Sequence, residues 1–82
     1  MIKVLFFAYV REKIGRSSIE LTQRQAMTAD SIRQQLSRTD QKWAAALNQE
    51  ELLVAVNQKL CEWSHPIQDG DEVAFFPPIT GG

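Results

Sequence analysis

The sequence predicts a single small α+β domain, a mixed sheet of about five strands with helix on one face. Three observations lead there. Apolar residues alternate with a period of two at the start of the chain, over residues 2–7, and near its end, over residues 72–76. A capped stripe with helical spacing lies between them, over residues 28–38. Finally, 82 residues with 44% hydrophobic and 23% charged side chains allow one modest core and leave no room for a second domain.

In the first strand Ile2, Val4 and Phe6 share one face and Lys3, Leu5 and Phe7 the other, and both faces are unusually apolar. A short connector over residues 11–15, ended by Gly15, leads to a half-buried strand in which Ile19 and Leu21 alternate with Ser18 and Glu20. The two strands read as a hairpin with a long loop. Thr28 is placed to cap a helix through Arg38, with Ala29, Ile32, Arg33 and Leu36 on the side that meets the sheet. Asp40 caps a second, short helix that ends near Asn48 and turns Trp43, Ala44 and Leu47 inward. Residues 52–56 and 60–63 flank Asn57-Gln58-Lys59 as another hairpin, and Asp69-Gly70 turns the chain into the last strand. A β-grasp arrangement satisfies this order of two strands, helix and three strands, as do other small α+β topologies. Residues 1–76 are read as the domain and residues 77–82 as a flexible C-terminal tail.

Composition narrows the function. Nine Lys and Arg against ten Asp and Glu leave a net charge of -1, too weak a field to gather nucleic acid or anionic membrane. The longest apolar run, residues 4–10, is far short of the ~20 residues that cross a bilayer. The lone Cys61 closes no internal disulfide, which fits a reducing, cytoplasmic setting. Motifs for nucleotide, zinc or redox sites are missing, and no metal is expected. Cys61 reads as structural, since neighbouring Glu62 opposes thiolate formation. Asp69, Asp71 and Glu72 surround a turn glycine and read as a solvated turn. Trp43 and Trp63 read as core or its rim.

The C-terminus stands apart. Phe75-Phe76 is followed by Pro77-Pro78-Ile79-Thr80-Gly81-Gly82, in which the two prolines favour an extended course away from the last strand. Six residues at ~3.3 Å each reach about 20 Å, enough to enter a partner's channel, where glycines let the walls approach the backbone. The expected chemistry is at the α-carboxylate of Gly82. Ionised at neutral pH, it is a poor electrophile until joined to AMP, after which a sulfur nucleophile can displace the nucleotide and leave a thiocarboxylate. No side chain of this sequence performs either step, so partners must.

Three stretches, residues 1–8, residues 54–58 and the closing Asp69-Gly70-Asp71-Glu72-Val73-Ala74-Phe75-Phe76-Pro77-Pro78-Ile79-Thr80-Gly81-Gly82, resemble the sulfur-carrier subunits of molybdopterin synthase, within the ubiquitin-like β-grasp family. The resemblance spans the whole chain. It implies that an enzyme similar to the ubiquitin-activating class adenylates Gly82 with Mg-ATP, that a sulfur donor protein supplies the sulfur, and that the chain itself has no catalytic site and no stably bound cofactor. It implies a large catalytic subunit as partner, in a heterotetramer of two small and two large subunits that converts cyclic pyranopterin monophosphate to molybdopterin. It places Pro77, Pro78, Ile79, Thr80 and Gly81 in the partner's channel, and a partner-binding patch on Phe7, Leu60 and Phe76. Alternation agrees for Phe7 and Phe76, which share their faces with the charged Lys3 and Glu72, whereas Leu60 rests on the resemblance. A related carrier for thiamin thiazole synthesis, a ubiquitin-like modifier that joins Gly82 to target lysines, and a binding module with an inert tail remain the alternatives.

Overall fold

The computed structural model describes residues 1–22 and 25–78. Strand β1 (Ile2–Phe6) is followed by helix α1 (Ala8–Ile14) and strand β2 (Ser18–Leu21). A two-residue strand β3 (Met27–Thr28) then runs into helix α2 (Ala29–Ser37), and α3 (Gln41–Leu47) follows. Strands β4 (Leu53–Val56), β5 (Lys59–Cys61), β6 (Pro66–Ile67) and β7 (Glu72–Phe76) complete the order. The main sheet runs β2-β1-β7-β4-β5, and β3 and β6 pair separately as a two-stranded ribbon. The first and last strands lie side by side and parallel at the centre, and the other pairs of the main sheet are antiparallel. This is the mixed five-stranded β-grasp sheet expected from the sequence.

The expected connector over residues 11–15 is corrected: the chain there is helix α1, whose C-terminus Gly15 closes in the left-handed conformation (φ 83) with its N–H donating to the Arg11 carbonyl. At the other end Phe7 is the N-cap without a side-chain hydrogen bond, and Ala8 has φ 55, so no capping residue announces the helix. Helix α2 begins as expected. Thr28 and Ser31 form a reciprocal capping box, and the N–H groups of Ala29 and Asp30 donate to the carbonyls of His65 and Trp63, which ties the helix to the loop before β6. Asp40 caps α3 through the Trp43 N–H. The second hairpin is tighter than expected: β5 covers Lys59–Cys61, and only Asn57 and Gln58 form the turn.

The core lies between the helices and one face of the sheet. Ile2, Val4 and Phe6 from β1, Val54 and Val56 from β4, and Val73 and Phe75 from β7 form one buried cluster with Val10, Ala29, Ile32, Leu36, Ala46 and Leu47 from the helices. Trp43 meets Phe6 edge-on at 5.6 Å, and Trp63 stacks on Phe75 at 5.7 Å, so both tryptophans pack at the core's rim. Arg33, on the inward stripe of α2, holds its guanidinium 4.1 Å from the centre of the Trp63 ring while paired with Asp30.

Candidate docking face and tail

Because strand side chains alternate, the residues between the core positions all face away from the helices. Register lines them up. Leu60, Ala55, Ala74 and Leu5 form one row across β5, β4, β7 and β1, and Leu53 and Phe76 form the next row toward the end of β7. Ala55 is nearly covered, yet it stands apart from the core cluster because it belongs to this outer row. Phe7 is 46% and Leu60 66% exposed, and Phe76 is half-buried. These are large apolar side chains on an open sheet face, the arrangement that marks an interaction surface. Phe7 and Phe76 line a groove of about 700 Å³ together with Leu5, Ala74, Pro77 and Pro78, and Gln58 and Glu72 supply its polar lining. Leu60 lies on the same face, in the row of Ala74 and Leu5 but outside the groove on the edge strand β5.

Leu53 and Ala55 join this surface although the sequence did not single them out. Strand β4 is apolar on both faces, so alternation assigns neither, and only the pairing with β5 and β7 shows which way they point. The hairpin that carries Leu60 is anchored by Asn57. Its backbone N–H donates to the Glu72 carbonyl, its side-chain oxygen accepts from the Glu72 N–H, and its side-chain nitrogen donates to Asp71. Asp71 accepts a second bond from the Gln68 N–H, and these donors hold its carboxyl below the ordinary value of 3.8.

Cys61 points to the other side. Its thiol donates toward the Val54 carbonyl at 3.8 Å, and burial raises its pKa against a smaller opposing contact from the Val56 backbone. A thiol so placed is a poor nucleophile. Among the described residues no group of three His, Cys, Asp or Glu side chains is arranged to hold a metal ion, and no helix is long and apolar enough to cross a membrane. Pro77 and Pro78 are half-buried along the groove. Ile79, Thr80, Gly81 and Gly82, expected to carry the reacting carboxylate into a partner, lie outside the described residues.

Residues 4–82, which include both the open face and the closing glycines, match the ThiS family. The chain belongs to the ThiS family. Among its relatives, the molybdopterin synthase sulfur carrier subunit of Escherichia coli is 51% identical over 82 residues, covering the whole of both chains. Among solved structures, SAMP1 from Haloferax volcanii superposes with a TM-score of 0.77 at 21% identity, over 99% of this chain and 98% of that one. A protein–protein complex of subunits 1 and 2 of the molybdopterin-converting factor from Helicobacter pylori contains a chain that superposes with a TM-score of 0.66 at 20% identity, over 99% of this chain and 97% of that one. At those identities the two structures speak for the fold, and this ThiS-family chain shares the ubiquitin-like β-grasp.

Proposed function

We propose that this protein is the sulfur-carrier subunit of a molybdopterin synthase and that it works through the carboxylate of Gly82. The observation that carries the reading is the apolar groove beside Phe76, which continues along Pro77 and Pro78, so that a partner seated on the open face also meets the start of the tail. The 51% identity to a sulfur carrier subunit over the full length of both chains supports it. In the proposed cycle an activating enzyme joins the Gly82 carboxylate to AMP from Mg-ATP and releases pyrophosphate. Hydrosulfide, released from a donor protein, then attacks the acyl carbon, AMP leaves with its bonded oxygen, and the thiocarboxylate remains. The large subunit binds the open face, takes the tail into its active site and passes the sulfur to cyclic pyranopterin monophosphate, and hydrolysis restores the carboxylate. Two carriers and two large subunits form the proposed cytoplasmic assembly.

A reconstituted synthase assay with large subunit, activating enzyme, Mg-ATP, sulfide source and precursor pterin tests the cycle. Adding one alanine after Gly82 keeps every side chain but converts the reacting carbon to an amide, and activity should vanish. Deleting Gly82 leaves a carboxylate about 3.3 Å short, far beyond the ~1 Å misplacement that can cost ~100-fold, and should fail nearly as badly. Product formation by the extended variant without trimming of its alanine contradicts the cycle. Stable adducts between Gly82 and lysines of other proteins would instead favour a modifier.

A further inference from the structure

The open face changes character along β1 and β7. Near the tail its rows are apolar, but at the far end Lys3 stands in register between Glu20 and Glu72, a row with one cation and two anions. Glu72 is half-buried and, among the described residues, is the one acidic or basic side chain lining the 700 Å³ groove. Among the described residues the ion pairs are Asp30 with Arg33 and the Met1 ammonium with Asp69, so the Glu72 carboxylate is left without one. Nor does Asn57 satisfy it, since that amide is engaged by Asp71 and by the Glu72 backbone. A partner closing over the groove would strip water from this carboxylate, and an unpaired buried charge is strongly destabilising. Lys3, flanked in register by two glutamates and ion-paired with neither, cannot neutralise both.

We propose that the surface docking here presents an apolar side chain to the groove between Phe7 and Phe76 and an arginine or lysine to Glu72. The proposal rests on the sulfur-carrier reading, and the partner meant is the large synthase subunit. Glu72 lies four residues from Phe76 along β7, about 13 Å at ~3.3 Å per residue. A charge contact at one end and an apolar anchor at the other fix the partner's direction and register along the strand. They therefore fix where the tail, which starts at Pro77, is delivered. A slip of two residues, about 7 Å, breaks both contacts.

The test is a binding titration of the full chain against the large subunit at about 50 mM and about 300 mM salt, with wild type, Glu72→Gln, Glu72→Lys and Lys3→Gln. Glu72→Gln should bind about tenfold more weakly at low salt and lose most of the salt dependence, Glu72→Lys about 100-fold more weakly, and Lys3→Gln no more weakly than wild type. Circular dichroism confirms that each variant is folded, and Glu72→Gln carries the test if the charge reversal is not. Unchanged affinity and salt dependence in Glu72→Gln overturns the pairing while leaving the sulfur-carrier reading intact. Failure of the wild type to bind the large subunit at all overturns both. A dimer of the isolated chain, seen by sedimentation and dissolved by Glu72→Lys, would assign the face to a second copy and also overturn it.

Discussion

Two adjacent phenylalanine pairs differ in which face of the sheet they occupy. Phe6 and Phe75 are buried and stacked at 6.4 Å, whereas Phe7 and Phe76 line the outer groove. Truncating either buried ring to alanine should cost about 3–5 kcal/mol of folding stability. Phe7→Ala and Phe76→Ala should cost about 1 kcal/mol or less on folding yet weaken binding of the proposed large subunit by about 2 kcal/mol or more. Denaturant melts and titrations of the four variants decide it, and equal destabilisation by all four refutes the assignment of faces. Asp71 adds a dependence on pH. A depressed carboxyl stabilises the fold wherever it is ionised in both states, above its ordinary 3.8, and that contribution is lost as pH falls through the depressed value. Asp71→Asn should therefore be less stable than wild type at neutral pH, by on the order of 1 kcal/mol for a partly exposed group, with the gap closing in acid. A gap that is the same at both pH values contradicts this account of Asp71.

At the scale of elements, the hairpin between β4 and β5 is built on two non-glycine residues with positive φ, Asn57 at 51 and Gln58 at 70. A two-residue turn with both centres left-handed favours Asn-Gly, and asparagine's own side chain is employed in bonds to Asp71 and Glu72. Gln58 has no such compensation. Gln58→Gly should stabilise the domain by up to about 1 kcal/mol, read as a raised denaturation midpoint; a lowered midpoint would show that the Gln58 side chain contributes more than its backbone strain costs. The same elements show what could be read in advance. Helices α2 and α3 were legible because Thr28 and Asp40 cap them with side-chain oxygens. Helix α1 was not, because it starts from an uncapped Phe7 and a left-handed Ala8, and its Gly15 signal looks like any turn glycine. Strands β3 and β6 have two residues each, too few for a period of two to register. In the candidate site, Phe7 and Phe76 could be placed from their charged neighbours Lys3 and Glu72, whereas Leu53 and Ala55 needed the pairing between strands.

Taken as a whole, the molecule is a sheet with one face committed to the helices and the other left open, and its last strand leads from that open face into the closing segment. The half-buried Cys61 faces the committed side, so the proposed chemistry leaves it no part, and Cys61→Ser should retain sulfur transfer in the reconstituted assay. The most direct test of the account is the intact mass of the chain after incubation with activating enzyme, Mg-ATP and a sulfide source. The thiocarboxylate cycle predicts a gain of about 16 Da, one oxygen exchanged for sulfur, located on Gly82 by fragmentation and abolished by an alanine added after it. No gain in the wild type, or a gain of about 32 Da located on Cys61, would contradict it.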